Sequence, residues 1–267
     1  MMSLLRIVLA TAQKDFRTAV SYRVGFATGI IASFWGLIAF RFVSKLVNTG
    51  QFADSTTAYF KYTVVGLLFA SILEPTAVGT STSARNEQVQ GTLEYLATQP
   101  VRRIYLGLSW SAYGLFQSIV VAFAVLLLTI PIGFSVSHVD VPIVVSVVLL
   151  SIVVFAAIGN FGAALIMVVQ QGGTIVAGAL SIIGVISGTL FPITELPSWL
   201  QTLAHLSPLT YGMEALRSAV LSNQPPTSYT RDILILVGFA VVLIPLSAWT
   251  LERSFRVAQR RGTLATF

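Results

Sequence analysis

Apolar residues run in six long blocks along the chain, separated by short polar breaks, at approximately residues 24 to 46, 62 to 82, 104 to 130, 141 to 169, 174 to 191 and 232 to 251. A segment buried in lipid has no water to satisfy its backbone, so blocks of this kind fold as helices that pair their own N–H and C=O groups. At about 1.5 Å per residue each block is of spanning length, and the third and fourth are long enough to tilt or to project beyond the lipid. Turn chemistry marks the breaks: Asn48-Thr49-Gly50, Pro131 with Gly133, and Gln170 through Gly173. The pattern predicts an all-α membrane protein with six transmembrane helices.

Three further elements are amphipathic rather than uniformly apolar. Over residues 3 to 20, Leu5, Val8, Leu9, Ala12, Phe16 and Ala19 share one helical face, while Arg6, Gln13, Lys14 and Arg17 share the other. That spacing predicts a helix lying in the membrane interface, so the chain divides into an interfacial helix at 1–23 and a six-helix transmembrane domain at 24–267. Between the second and third spans, Val89, Leu93, Leu96 and Ala97 repeat at helical spacing, Glu87, Gln90 and Glu94 face elsewhere, and Pro100 ends the run. A short surface helix at about 84–98 is expected there. Gly91 inside it would cost about 1 kcal/mol relative to alanine, which makes sense where another backbone approaches closely. Before the last span, Ser198 with Gln201 reads as a capping box, and Ser207-Pro208 as an N-cap and first-turn proline. Segments this short cannot cross, so residues from about 195 to 220 predict a re-entrant hairpin of two half-inserted helices.

Composition agrees with a lipid solvent: of 267 residues, 55% are hydrophobic and 10% charged, against roughly 25% charged in ordinary soluble domains. There are no cysteines, which removes disulfides, thiolate metal sites and cysteine nucleophiles. The net charge of +6 does not point to nucleic acid, because the basic residues flank apolar blocks instead of forming an aromatic-interleaved stripe. It is topological. With the N-terminus inside, the inner side holds the eleven residues Arg6, Lys14, Arg17, Arg23, Arg85, Arg102, Arg103, Arg253, Arg256, Arg260 and Arg261; the outer side holds the five residues Arg41, Lys45, Lys61, Arg217 and Arg231. Both termini are therefore expected in the cytoplasm, with Lys14, Arg17, Arg102 and Arg103 at the inner membrane surface. No apolar run with a small-residue cleavage site follows the first basic residues, so the first span is expected to serve as an uncleaved insertion signal.

Candidate chemistry is sparse. A phosphate cradle needs G-x-x-x-x-G-K-[ST], yet none of the three lysines, Lys14, Lys45 and Lys61, sits in that context. His138 and His205 fall in expected outer loops, and Asp15, Asp54, Asp140 and Asp232 lie outside the spans or at their ends, so intramembrane proteolysis has no serine–histidine or paired-aspartate arrangement. No catalytic or metal-ligating residue is expected. Glu74, followed by Pro75, is the one carboxylate well inside a span, and a buried ionisable group at that depth is a functional candidate, here for the translocation path. Gly25-x-x-x-Gly29 and Gly184-x-x-x-Gly188 offer close helix approach. The two halves show no repeat of the kind that marks inverted-repeat carriers.

Two stretches carry a family resemblance. Glu87, Gly91-Thr92-Leu93-Glu94, Leu96 and Pro100 followed by Arg102 and Arg103 resemble the coupling-helix region of type-2 ABC transporter permeases. Phe191-Pro192 through Glu195-Leu196-Pro197-Ser198-Trp199-Leu200, then His205 through Tyr211 to Arg217, is similar to that family's outer re-entrant hairpin. With the six-span layout and the N-terminal helix, the resemblance covers essentially the whole chain. It implies a permease subunit of an ATP-driven exporter in a prokaryotic inner membrane, built as a homodimer or a heterodimer with a similar permease. Two copies of a cytoplasmic ABC ATPase would bind ATP and Mg; this chain would hold no cofactor. Glu87, Gly91, Thr92 and Glu94 would dock the ATPase, and Pro197, Trp199, Pro208 and Tyr211 would form the outer gate. The cargo implied is amphipathic: a drug, a lipid or a lipid-linked glycan. The basic loop between the first two spans departs from the family pattern. Two other readings fit the residues, a proton-coupled secondary carrier using Glu74 and a non-transporting membrane anchor.

Overall fold

Amides removed from water pair within their own helices, and a computed structural model shows the chain built that way. It describes residues 35–45, 56–98, 103–129, 140–168, 172–221 and 227–261, and no strand occurs among them. The expected interfacial helix with Lys14 and Arg17, the Gly25 and Gly29 pair, most of the first span, and Arg102 lie outside the described residues.

Among the described residues nine α-helices follow in order: α1 (35–43), α2 (Thr56–Val89), α3 (Thr92–Thr98), α4 (Arg103–Thr129), α5 (Val141–Val168), α6 (Gly172–Ile186), α7 (Ser198–His205), α8 (Pro208–Leu221) and α9 (Thr227–Arg261), with a 3-10 turn at Ile193–Glu195 before α7. Three of them, over Ala58–Val89, Val141–Val168 and Tyr229–Arg260, are long and apolar enough to cross a membrane. Helix α4 has 27 residues and matches the expected third span; α6 has 15 and stops short of the expected fifth. The reason is Gly188, whose φ of +83° turns the backbone out of the helix just after Ser187. The Gly184 and Gly188 pair therefore does not form a helix-packing face within the chain: Gly184 looks onto open space and Gly188 lies beyond the helix.

Helix α5 is the hub, packed on α2, α9, α8, α6 and α4. Of three apolar cores among the described residues, the two larger ones sit toward opposite ends of the bundle. One gathers Phe69, Leu73, Val147, Phe155, Met213, Leu216 and Leu236 beneath α8. The other gathers Leu93, Leu106, Trp110, Met167, Leu251 and Phe255 beside α3, with Trp110 and Phe255 stacked at 6.4 Å. Between them runs a seam of small and polar residues. Thr80 and Ser111 hydroxyls meet at 2.8 Å, Ser81 donates to the Gly159 carbonyl at 3.3 Å, and Asn160 is buried against Gly107. A Cβ on Gly159 would lie 2.8 Å from both the Ala77 carbonyl and Thr80, so glycine there lets α2 and α5 touch backbone to backbone. In lipid this close packing replaces the hydrophobic drive that holds helices together in water. The outer faces of α4 and α9 carry exposed Phe123, Leu127, Leu234, Val241, Val242 and Trp249, an apolar surface that suits acyl chains.

Candidate functional site

The two ends of the bundle hold the residues of interest. At one end α2 does not continue into the surface helix. The structure corrects the expected helix at 84–98: residues up to Val89 belong to α2, and Gly91 at φ +71° separates them from the seven-residue α3. The Gly91 amide bonds the Gln88 carbonyl at 3.2 Å, closing the last turn. A Cβ on Gly91 would meet nothing within 4 Å, so backbone conformation, and not the close approach inferred from the sequence, accounts for glycine here.

Helix α3 is pinned by Leu93, which is fully buried in the core of Leu106, Trp110 and Phe255, with Leu96 partly buried beside it. The opposite side is open: Gly91, Thr92, Glu94 and Tyr95 are exposed. Glu87 is different. Only 7% of it is exposed, and its carboxylate accepts the Thr92 hydroxyl proton. It holds the start of α3 from beneath, so its influence on the outer surface passes through Thr92. Arg85 braces the same turn by donating to Gln88 Oε1 at 2.8 Å. Tyr95, 68% exposed beside Glu94, was not singled out from the sequence. Its signal was present, since the positions that bury Leu93 and Leu96 leave residue 95 facing outward. Arg103 opens α4, and its side chain lies outside the described residues.

The other end carries the hairpin. Helices α7 and α8 have 8 and 14 residues, about 12 and 21 Å long, too short for a hydrocarbon layer of roughly 30 Å. Pro197 precedes α7 and its carbonyl accepts the Leu200 and Gln201 amides. The expected capping box does not form, because the Gln201 side chain instead donates to the Leu196 and Thr194 carbonyls at 2.8 and 3.3 Å. The second start is as expected: Pro208 is the first residue of α8 and Ser207 Oγ accepts the Leu209 amide at 3.2 Å. Tyr211 donates to the His205 carbonyl and Thr210 to the Ala204 carbonyl, at 2.8 and 2.7 Å, which folds the two helices together. Trp199, Leu203 and Leu206 point away from the bundle, 64%, 48% and 69% exposed.

Arg217, which closes the stretch carrying the hairpin resemblance, fixes the hairpin to the bundle. It is buried in α8, and its two Nη atoms donate to the carbonyls of Gly188 at 2.7 Å, Thr189 at 2.9 Å and Tyr62 at 3.3 Å. Its guanidinium carbon lies 3.4 Å from the centroid of the Tyr62 ring, a cation–π contact. Burial lowers its pKa to about 10, against the opposing pull of Tyr62 and Glu214. The guanidinium thus ties α8, the turn after α6 and the start of α2 into one joint. A lone arginine among Met213, Ala215, Leu216 and Ala219 was the available signal.

Glu74 lies on the exposed face of α2 rather than in the seam, one residue before the helix-interior Pro75. Among the described residues no group of three metal-ligating side chains converges. The described residues thus present an exposed face of α3 at one end, the α7–α8 hairpin at the other, and the exposed Glu74 carboxylate between them.

Comparison with known proteins now bears on these parts. The family model described as ABC-2 type transporter matches residues 6–221, which include α2, α3 and the hairpin. Nodulation protein J of Sinorhizobium fredii (strain NBRC 101917 / NGR234) is 38% identical over 68 residues, a stretch amounting to 26% of this chain and 26% of that protein. The local likeness thus spans about a quarter of the relative's length, whereas the family model runs over most of the chain: the protein belongs to the ABC-2 type transporter family of membrane permeases.

Proposed function

We propose that this permease is the transmembrane subunit of an ATP-driven exporter, working as a homodimer with two cytoplasmic ABC ATPase subunits. The carrying observation is the exposed face of α3, presented at one end of the bundle by a chain that contains no phosphate-binding lysine motif. Membership of the family supports an ABC ATPase as the partner in general. ATP and Mg belong to that subunit. In this reading the six-span layout stands, the α3 end and both termini face the cytoplasm of a prokaryotic inner membrane, and α3 is the coupling helix. Thr92, Glu94 and Tyr95 meet the ATPase directly, while Gly91 and Glu87 set the angle at which they do so.

Glu94→Lys tests the docking face without touching the core. It is exposed, so the fold is expected to survive, while a reversed charge at an interface costs several kcal/mol in the worst case. Binding of a cassette ATPase partner to the permease in nanodiscs should weaken by about tenfold or more. Unchanged binding and unchanged stimulation of ATP hydrolysis would remove the docking role.

The cargo in this reading is amphipathic, a drug, lipid or lipid-linked glycan, and moves along a path between two protomers that Glu74 faces. A carboxylate exposed on a single bundle at membrane depth needs a polar neighbour, and a second protomer with a hydrated path supplies one. Glu74→Gln should leave dimer assembly intact and lower export several-fold. Export at the wild-type rate would leave the charge without a role in the path.

A further inference from the structure

The last helix ends in a basic segment. From Ile233 to Leu251 α9 has nineteen residues without a charge, bounded by Asp232 and Glu252. At 1.5 Å per residue that is about 28 Å, the thickness of the hydrocarbon layer. Arg253, Arg256 and Arg260 therefore lie about 3, 8 and 14 Å past its edge along the helix, and the polar headgroup layer there is about 5 to 8 Å deep. Two of the three arginines sit at headgroup depth. The third lies just beyond, within reach by snorkelling back.

They also share one side of the helix. At 100° per residue, Trp249, Arg253, Arg256 and Arg260 fall within about 60° of each other. The three arginines and Val257 border one open surface depression of about 260 Å³. The Arg253 guanidinium lies 5.4 Å from the centroid of the Trp249 ring. Glu252 engages Arg256 through Nε at 3.3 Å, with both side chains well exposed at 42% and 69%. Four arginines against one glutamate leave residues 250–261 at a net charge of +3. The same side continues toward the membrane interior as Leu246 and Val242, 44% and 59% exposed.

We propose that Arg253, Arg256 and Arg260 form a binding site for the phosphate of an anionic phospholipid, with Trp249, Leu246 and Val242 as the track for its acyl chain. Charge complementarity selects the headgroup, and planar guanidinium forks bond phosphate oxygens in pairs, which an ammonium does not. The depth of the arginines selects a lipid over a soluble anion. The apolar track below them selects it over the acidic surface of a partner protein.

The test uses the full-length protein, purified in detergent and titrated with phosphatidylglycerol or phosphatidylcholine, with bound lipid counted by native mass spectrometry. Wild type should prefer phosphatidylglycerol. Each basic residue near an anionic lipid surface contributes about fivefold in affinity, so R253Q/R256Q/R260Q should lose up to two orders of magnitude of that preference. R253K/R256K/R260K should fall between the two, because charge remains and the paired bonds do not. Glu252→Gln should raise phosphatidylglycerol affinity by about fivefold; this readout stands even where the triple variant fails to fold. An unchanged lipid preference in the triple variant, or no gain in Glu252→Gln, would overturn the site. So would competition by inorganic phosphate at the same concentration as the lipid, or a triple variant that keeps its lipid and loses only the ATPase.

Discussion

Replacing Arg217 with alanine is expected to cost about 3 kcal/mol of stability and to release the α7–α8 hairpin. The side chain donates to three backbone carbonyls, of Gly188, Thr189 and Tyr62. The Tyr62 hydroxyl also reaches the Gly188 carbonyl at 3.3 Å, so that acceptor keeps a partner; the Thr189 carbonyl loses a charge-assisted bond. Such bonds are worth about 1.5–3 kcal/mol each, and a buried acceptor left bare costs about 1–3. Against this stands the relief of no longer burying a cation, which keeps the total near the lower end. For a chain of this size about 3 kcal/mol lowers Tm by roughly 6 to 12 °C. Arg217→Lys should recover part of that loss, since an ammonium keeps the charge but lacks the fork that spans the Gly188 and Thr189 carbonyls. Export should fall in both variants while ATPase binding persists, because α3 lies at the opposite end of the bundle. An Arg217→Ala protein with wild-type Tm would show that the joint is held by other contacts.

A single methyl group added at Gly66 is expected to be nearly as damaging. Its Cβ would press into the Thr189 carbonyl oxygen, closer than real Cβ contacts come, and would lie 2.6 Å from Arg217 Nη2. The arginine could move aside; the backbone carbonyl of Thr189 could do so only by shifting the turn after α6. Overpacking of this kind costs about 1–3 kcal/mol, and the rigid neighbour places Gly66→Ala at the upper end. The contrast is Gly178 in α6, where a Cβ would meet nothing within 4 Å. There alanine should stabilise by about 0.5–1 kcal/mol through helix propensity. Thermal unfolding in detergent of the two variants side by side should shift in opposite directions. Because Gly66 and Arg217 share the Thr189 carbonyl, the double variant should be less destabilised than the sum of the singles, by about 1 kcal/mol. Strict additivity would mean that the two residues do not act on a common joint.

The apolar blocks were legible because lipid allows only one way to satisfy a backbone. The span expected at 141 to 169 appears as Val141–Val168, and the second helix of the hairpin opens at Pro208 as its Ser207-Pro208 signal requires. What stayed hidden was conformation at single glycines and the direction of single side chains. Val89, Leu93 and Leu96 keep helical spacing on both sides of Gly91, so periodicity alone reads through a break that only a positive φ reveals. Glu87 and Glu94 look alike as surface carboxylates seven residues apart, yet one lies beneath Thr92 and the other outside it. Gln201 carries the letter of a capping box, but its amide reaches carbonyls of the preceding turn instead. Arg217 read as a topological charge because no local pattern announces that its partners lie as far away as Tyr62.

Helix α2 carries Tyr62 near one end and Glu87 near the other, twenty-five residues or about 38 Å apart. Each is a joint, to the hairpin through Arg217 and to α3 through Thr92. Pro75 stands almost midway and frees the Ser71 carbonyl from its helical bond. One helix therefore carries both joints, and the proline between them marks the place where it can bend, so strain at one end is shared with the other only as far as that bend stays stiff.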